Sequence, residues 1–306
     1  MVEGVIQLAS PPVRSNGRFA PSPTGPLHLG NLRTALLAWC CARSTGSSFV
    51  IRVEDLDRER CRAGSAEQQL GDLAAIGLEW DQPVVTQSSR TALYADALAQ
   101  LRSDGLLYEC WCTRAEIREA SSAPHGAPAR YPGSCRDLSS AELAKRRESG
   151  RQAALRVRTD GAQVRFVDRL HGEQQTAVDD FVVARQDGAF AYHLAVVVDD
   201  ADQAIDEVVR GDDLIDSVAA QCWLQEQLGL SRPSYVHVPL LRDDDGKRMS
   251  KRDSSVTLAG QLEIGNKAEQ VRSDLAASVG LCEAHEQLSG DQLLSRFSST
   301  LVESLA

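Results

Sequence analysis

The amino-acid sequence predicts an α/β fold with a parallel sheet, because a helical pattern and a buried strand follow each other near its start. Apolar residues recur at helical spacing from Leu29 to Arg43, without an intervening proline, after the turn-rich segment APSPTGP. The segment SSFVIRVED, residues 47–55, then has the continuous apolar run of a buried strand and ends in acidic residues. A strand, a helix and a strand in this order predict a right-handed parallel crossover.

The middle of the chain changes character at about residue 108. Two helices are expected from the apolar spacing between about 62 and 107. The next segment, 108 to about 150, holds three of the eight cysteines and a stretch rich in Pro, Gly and Ser. Capping boxes at 113–116 (Thr-x-x-Glu) and 139–142 (Ser-x-x-Glu) predict short helices on either side of that stretch.

The second half of the chain has strand-like patterns, followed by helices. Residues 153–198 are interpreted as strands, including the run AFAYHLAVVVDD, with a hairpin turn at 187–188. A helix is expected from about 213 to 229, then the strand YVHVPLL, the charged loop RDDDGKRMSKRD and a helical C-terminal segment. His193 and His237 fall in strand-like runs and are interpreted as hydrogen-bonded core residues.

Composition and charge exclude several classes of protein. The 306 residues include 33 Lys and Arg against 43 Asp and Glu, a formal net charge of −10. A chain-wide basic surface is therefore excluded, whereas a confined basic face for a nucleic acid is not. We expect no membrane partner and a cytoplasmic location, because no apolar run reaches the ~18 residues of a membrane span and no signal peptide is evident. The eight unevenly spaced cysteines fit a reducing cytosol.

The segment GRFAPSPTGPLHLGNLRTALLAW, residues 17–39, carries the clearest functional signal. A loop with Pro and Gly leads into a helix, so free backbone N–H groups and the positive end of the helix dipole can bind a phosphate. Gly25 and Gly30 allow a ligand to approach the backbone closely. His28 and Asn31 bracket the helix start and can donate hydrogen bonds to a phosphate. Taken alone, the pattern H-x-G-N is more often a turn with a capping histidine.

Two motifs together resemble those of the class I aminoacyl-tRNA synthetases, and more closely those of the glutamyl-tRNA synthetase family. The segment RFAPSPTGPLHLG is similar to the HIGH segment of the family, with Asn31 in place of the second histidine. In the charged loop, Arg248 to Arg252 resembles the KMSKS motif, and Lys251 matches its second lysine. Taken singly, such a charge run is more often a solvated basic loop. The two motifs lie about 220 residues apart in the order that the family has.

The resemblance implies a Rossmann-like catalytic domain with an inserted zinc-containing subdomain of the acceptor-binding type. Residues 1–107 would form the first half of the catalytic domain, and 191–255 its second half with the KMSKS-like loop. The insertion would occupy 108–190. Residues 256–306 would form a short helical C-terminal segment.

The resemblance also implies how ATP is used. Attack of a carboxylate on the α-phosphate of ATP builds up negative charge on the pyrophosphate, which a mobile ammonium can neutralise. His28, Asn31 and Lys251 would be the catalytic residues. The same three residues and Gly30 would bind ATP, with Mg²⁺ as the accompanying ion.

An amino acid with two carboxylates and an ammonium needs at least one arginine and one acidic partner. Arg18 can offer a bidentate fork to a carboxylate, and Glu54, at the C-terminal end of a strand, can accept from an ammonium. For Arg210 a place on the surface is the alternative, and for Tyr192 a place in the core of a strand. The resemblance implies that L-glutamate is bound by Arg18, Ala20, Ser22, Glu54, Tyr192 and Arg210.

The cysteines of the middle segment are candidate metal ligands. Cys110 and Cys112 are followed, after an 18-residue gap, by Tyr131 and then Cys135. Three thiolates bind Zn²⁺ tetrahedrally if a fourth ligand is supplied, but the usual C-x₂-C pairs are missing, so three buried reduced cysteines remain an equal alternative. The resemblance implies one structural Zn²⁺ with Tyr131 as the fourth ligand, and His125 is its rival.

The length of the chain points to one branch of the family. Only 54 residues follow Arg252, too few for an anticodon-binding domain of ~100 to 150 residues. We therefore expect the shortened branch, which activates L-glutamate with ATP without tRNA and transfers it to queuosine at the wobble position of tRNA(Asp). A monomer is expected. A synthetase that charges tRNA(Glu) and a catalytically inert tRNA-binding paralogue are the alternatives.

Replacement of Lys251 by alanine should lower glutamyl-adenylate formation by orders of magnitude and leave the fold intact. The variant lacks the ammonium that would neutralise the leaving pyrophosphate. ATP–pyrophosphate exchange measures the effect. Exchange at the wild-type rate would show that the loop is assigned wrongly.

Overall fold

A seven-stranded sheet lies at the centre of the structure, a computed structural model that describes residues 15–113, 115–117, 131–241, 256–283 and 285–305. The strands of the chain are β1 Asn16–Phe19, β2 Ser48–Val53, β3 Val85–Thr86, β4 Leu107–Cys110, β5 Ala154–Val157, β6 Gln163–Asp168, β7 Gly172–Ala177, β8 Val182–Ala184, β9 Ile205–Gly211 and β10 Ser234–Val238. The central sheet has the order β3-β2-β1-β9-β10-β6-β7, and only the pair β6 and β7 is antiparallel. A second, antiparallel sheet has the order β4-β5-β8.

Helices cover both faces of the central sheet. In the described residues they are α1 Leu29–Ser44, α2 Ser65–Ala75, α3 Thr91–Ser103, α4 Ser140–Glu148, α5 Tyr192–Asp202, α6 Val218–Leu228, α7 Leu258–Glu263, α8 Ala268–Ala277, α9 Gly290–Arg296 and α10 Ser299–Glu303. Two 3₁₀ helices span Gln87–Ser89 and Asp212–Ser217. None of the described helices is long and apolar enough to cross a membrane.

The unit β1-α1-β2 confirms the expected parallel crossover. Gly17 of β1 pairs with Phe49 of β2 in parallel register, and α1 packs on these strands. The packing needs a glycine, because a Cβ atom at Gly17 would lie 2.8 Å from the Cβ atom of Ala42. The close approach of α1 to β1 fixes the position of α1 on the sheet, and with it the position of the helix N-terminus.

Two apolar cores occupy the two faces of the central sheet, because alternate residues of each strand point to opposite sides. On β2, Phe49 and Ile51 belong to the core beneath α1 and α8, whereas Val50 faces α3, α5 and α6. On β9, Val209 and Val208 divide in the same way. The sheet is thus covered on both faces by apolar cores, which leaves the ends of its strands for polar residues.

The run AFAYHLAVVVDD is a helix over most of its length, so the strand predicted there is wrong. It forms α5, and His193 lies on this helix rather than on a strand. Every residue from 194 to 200 is buried, so the apolar residues follow neither helical nor strand spacing. Its three consecutive valines favour a strand when only local preference is considered, and tertiary packing overrides that preference.

The segment between 108 and 190 contributes to both sheets. Strands β4, β5 and β8 form the small sheet, whereas β6 and β7 extend the central one through the pairing of Tyr235 with Asp168. Both capping boxes form, with Thr113 and Ser139 as the N-terminal residues. The boundaries 108 and 190 of an inserted subdomain therefore stay a prediction.

Candidate active site

The site residues expected from the sequence surround one cavity of about 510 Å³ near the carboxyl ends of β1 and β9. Parallel α/β sheets bind ligands at this edge. Lys251 lies outside the described residues, so its position stays a prediction. The cavity is lined by all the other residues predicted for the amino acid and for ATP: Arg18, Ala20, Ser22, His28, Gly30, Asn31, Glu54, Tyr192 and Arg210.

The start of α1 is capped by the two polar residues of the predicted phosphate site. The Nδ1 atom of His28 accepts from the backbone N–H of Asn31 at 3.1 Å, and Oδ1 of Asn31 accepts from the N–H of His28 at 3.3 Å. Because Nδ1 accepts, the proton of a neutral His28 ring sits on Nε2. The cap thus uses an acceptor atom of each side chain and neither the His28 Nε2–H nor the Asn31 amide N–H groups, so capping is compatible with phosphate binding.

The loop before α1 is held by a buried glutamine that the sequence analysis missed. Gln69 of α2 donates from Nε2 to the carbonyl oxygens of Gly25 at 2.7 Å and Ser22 at 3.1 Å. Its side chain is only 2% exposed. Gly25 itself has φ of +137°, a conformation that favours glycine. The backbone of the loop is therefore shaped before any ligand arrives.

A network of buried charges lies beneath the cavity. Arg52 is fully buried, and its guanidinium is 2.7 Å from Asp200, 3.2 Å from Glu54 and 3.5 Å from Asp199. Asp200 also contacts Arg18, through distances of 3.3 and 3.4 Å to its Nε and Nη2 atoms. The sequence predicted Arg18 and Glu54 as site residues. It did not predict Arg52, Asp199 and Asp200, the other members of this network.

Glu54 and Asp200, two carboxyl groups that contact Arg52, have opposite pKa shifts. Burial opposes the ionisation of Asp200, but Arg18 and Arg52 outweigh it, so the pKa of Asp200 is lowered. Burial raises the pKa of Glu54, and the same two arginines offset this only in part. Asp200 is thus ionised at neutral pH and pairs with both arginines. Glu54 gains stabilisation of its charged form when a cation approaches.

Arg210 and Tyr192 form the other wall of the cavity. Arg210 donates to the Tyr192 hydroxyl at 3.1 Å and to the Gln221 side-chain oxygen at 2.9 Å. Arg210 is only 6% exposed, so the alternative of a surface position is wrong. Tyr192 is not in the core of a strand either, because it begins α5 and is 36% exposed.

The three cysteines of the middle segment come together as a cluster. The sulfur atoms of Cys110, Cys112 and Cys135 all lie within 4.8 Å of one another. The hydroxyl of Tyr131 is 3.5 Å from the sulfur of Cys110 and accepts from the backbone N–H of Cys135 at 2.8 Å. His125, the rival ligand, lies outside the described residues. The arrangement offers three soft sulfur ligands and an oxygen on one side of the small sheet.

Arg156 supplies positive charge at this cluster. Its Nε–H is 3.3 Å from the sulfur of Cys110, and its guanidinium stacks 3.9 Å above the ring of Tyr131. Burial opposes ionisation of Cys110, but hydrogen bonds from Tyr131 and Arg156 outweigh it and lower the pKa of this thiol. Cys110 therefore favours the thiolate, which is the form that binds metals. Burial and the neighbouring Cys110 and Cys135 instead raise the pKa of Cys112 to about 12.

The fold and the site define a catalytic domain of the class I tRNA synthetases. Residues 14–278 match the family described as "tRNA synthetases class I (E and Q), catalytic domain", and the chain belongs to this family. The HIGH-type helix start and the parallel sheet described above are the features that the resemblance had implied.

Individual relatives narrow the comparison. The chain is 55% identical over 277 residues to the "Glutamyl-Q tRNA(Asp) synthetase" of Nocardia farcinica, which covers 90% of this chain and 88% of the relative. It is 45% identical over 296 residues to the protein of the same name from Symbiobacterium thermophilum, covering 92% and 91% of the two chains. The structure is similar, with a TM-score of 0.80 and 28% identity, to a glutamate tRNA ligase of Elizabethkingia meningosepticum in complex with its amino acid. That match covers 95% of this chain and 65% of the ligase.

Replacement of Arg52 by methionine should lower the free energy of unfolding by about 3 to 5 kcal/mol at neutral pH, because Glu54, Asp199 and Asp200 then lose the buried cation that they share. Asp200 keeps its contact with Arg18, and Asp199 keeps its contact with Arg90. Urea denaturation measures the change. The difference from wild type should shrink as the pH falls. Protonation removes the uncompensated charge in the variant, while the wild type loses the stabilisation from Asp200 as the pH drops through its lowered pKa.

Arg43→Met is the matched control for this measurement. Arg43 pairs with Asp81 at 2.5 Å, but both side chains are partly exposed, at 21% and 37%. The loss should therefore stay below about 1 kcal/mol. Equal losses in the two variants would contradict the role assigned to burial of Arg52.

Proposed function

We propose that the protein activates L-glutamate with ATP, without tRNA, and then transfers the glutamyl group to queuosine at the wobble position of tRNA(Asp). The observation that carries the first step is that Arg18, Arg210, Glu54 and the start of α1 line the same cavity. The second step is supported by the names of the relatives at 55% and 45% identity.

The charges of L-glutamate match the groups of the cavity. Arg18 and Arg210 are the cations for its two carboxylates, and Glu54 is the anion for its ammonium. Binding of the ammonium would lower the raised pKa of Glu54 and so favour its charged form. The Tyr192 hydroxyl can make a hydrogen bond to the ligand at the wall formed with Arg210. Ala20 and Ser22 line the side of the cavity formed by the loop before α1.

ATP would lie at the start of α1. The glutamate carboxylate attacks the α-phosphate, the bond to the β-phosphate oxygen breaks, and pyrophosphate leaves. His28 Nε2–H, the Asn31 amide and the free N–H groups of the first turn stabilise the charge that develops on the phosphates. Gly30 must stay small, because a Cβ atom there would lie 3.0 Å from Nδ1 of His28. Lys251 and Mg²⁺ would neutralise the pyrophosphate.

Transfer of radiolabelled glutamate separates the candidate acceptors. We expect ATP–pyrophosphate exchange with glutamate alone, then label on tRNA(Asp) that contains queuosine and none on queuosine-free tRNA(Asp). A third reaction contains tRNA(Glu), because the chain is also 40% identical over 285 residues to "Glutamate--tRNA ligase 1" of Halorhodospira halophila. Label on tRNA(Glu) alone would assign the alternative function of charging tRNA(Glu). Absence of ATP–pyrophosphate exchange, both with glutamate alone and with each of the three tRNAs added, would reject glutamate activation and support an inert paralogue.

We also propose that the cysteine cluster holds one structural Zn²⁺, with Cys110, Cys112, Cys135 and Tyr131 as ligands. A zinc ion with Zn–S distances of about 2.3 Å requires sulfur atoms about 3.8 Å apart. The sulfur atoms of Cys112 and Cys135 are 3.5 Å apart, and all three lie within 4.8 Å, so the donor set fits this ion. The metal would tie β4 to the segment around Cys135 and so stabilise the small sheet.

Metal analysis should find one zinc per chain in the wild type and none in Cys112→Ser. Cys282→Ser is the matched control, because Cys282 is a half-buried cysteine outside the cluster. Loss of zinc in Tyr131→Phe but not in His125→Ala would assign the fourth ligand to the tyrosine. Chelation should expose residues 108–136 to proteolysis. Unchanged protection, together with no zinc in the wild type, would overturn the proposal.

A further inference from the structure

His237 lies fully buried on β10, between a carboxylate and Arg210. Its Nδ1 atom is 2.6 Å from Oδ2 of Asp168, and its Nε2 atom is 2.9 Å from Nε of Arg210. A guanidinium only donates, so Nε2 of the imidazole must accept. The ring proton therefore sits on Nδ1 and is donated to Asp168. One neutral tautomer of His237 is compatible with both contacts.

Asp168 is itself held in one orientation. Its Oδ1 atom accepts from the backbone N–H groups of Leu170 and His171, both at 3.0 Å, and its Oδ2 atom accepts from the N–H of His237 at 3.2 Å. These bonds satisfy the buried carboxylate and leave Oδ2 aimed at the imidazole. A series of hydrogen bonds therefore runs from the backbone through Asp168 and His237 to Arg210.

The guanidinium of Arg210 has a separate neighbour for each of its nitrogens. Its Nε atom is turned towards His237, while its terminal nitrogens donate to Tyr192 and Gln221. Rotation of the guanidinium about its long axis would break the bond to His237. The neutral imidazole therefore determines which edge of Arg210 faces the cavity and where the Tyr192 hydroxyl is held.

We propose that Asp168 and His237 are positioning residues for amino-acid recognition, because together they orient Arg210 and Tyr192 towards the carboxylate of the substrate. This inference rests on the proposed activation of glutamate. It adds to the site two residues that do not line the cavity. Asp168 belongs to the segment 108–190, so a strand outside both predicted halves of the catalytic domain contributes to substrate binding.

Protonation of His237 would place two donors against each other, at Nε2 of the ring and Nε of Arg210. The titratable and charged groups around the ring are Asp168 on β6, Arg210 on β9, His171 beyond β6, and Tyr235 on the same strand. Burial lowers the pKa of His237, and Arg210 and His171 add to this, against the opposing effect of Asp168. The pKa of His237 is thus lowered, so the imidazole is neutral at neutral pH.

Two substitutions of His237 separate its contacts. Asparagine can still donate to Asp168 but offers no acceptor to Arg210, whereas glutamine places an oxygen near the position of Nε2. We expect His237→Asn to raise the KM for glutamate about tenfold or more, with the KM for ATP changed less than about twofold. His237→Gln should restore most of the affinity. His285→Asn, at an exposed histidine remote from the site, is the control and should change neither KM.

Asp168→Asn tests the tautomer without a change of volume. The backbone N–H groups of Leu170 and His171 hold the amide oxygen, so the amide nitrogen faces Nδ1 and the backbone N–H of His237. We expect Nδ1 then to accept from the amide and the ring proton to move to Nε2, where it opposes Arg210. Nitrogen-15 NMR of labelled histidine should show Nδ1–H in the wild type and Nε2–H in the variant. The KM for glutamate should rise as it does in His237→Asn.

The outcomes distinguish this inference from the proposed function. An Nε2–H tautomer in the wild type would overturn the positioning role of Asp168 and His237. An unchanged KM for glutamate in both His237→Asn and Asp168→Asn would overturn it as well. Equal rises of the two KM values, without rescue in His237→Gln, would show a merely structural role. Absence of glutamate-dependent exchange in the wild type would instead overturn the proposed activation and the substrate assigned to Arg210, while the NMR tautomer would still report the contact itself.

Discussion

Burial of Arg52 is the constraint on which the arrangement of the site depends. A buried guanidinium is costly unless carboxylates and hydrogen bonds surround it. Glu54 follows Arg52 on the same segment, but Asp199 and Asp200 come from α5, so the end of β2 requires that this helix docks against it. Docking of α5 also brings Asp200 to Arg18 on β1. The pairing that neutralises the core therefore also positions the arginine assigned to the substrate.

Helix α5 serves two sides of the molecule with adjacent aspartates, because neighbouring residues of an α-helix point about 100° apart. Asp200 faces the arginines of β1 and β2. Asp199 also lies 3.5 Å from Arg52, and in addition it accepts from Tyr94 and Gln87, each at 2.8 Å, and from Arg90 at 2.6 Å. The helix that begins with Tyr192 is thus fixed near its C-terminal end by ion pairs to several neighbouring elements.

The sequence predicted β1, α1, β2 and the residues around His28 because these features are encoded in short segments. It missed α5, whose burial on several sides removes the periodicity that identifies a helix. It also missed the partners of Arg52 and His237, since Asp200 and Asp168 lie 148 and 69 residues away from them. One signal was present: charged residues interrupt or end the apolar runs FVIRV and AVVVDD, and charges in buried runs require partners.

The two arginines of the site are held in chemically different ways, and this difference determines the charge that the cavity offers. Arg18 shares its positive charge with Asp200, whose lowered pKa keeps it ionised. Arg210 is instead bound by an imidazole, an amide oxygen and a phenol, all of them neutral. The ring of His237 separates it from the charge of Asp168, so that carboxylate orients the guanidinium without neutralising it directly. An anionic group that enters the cavity therefore meets Arg18 already paired with a carboxylate, and Arg210 held by neutral groups.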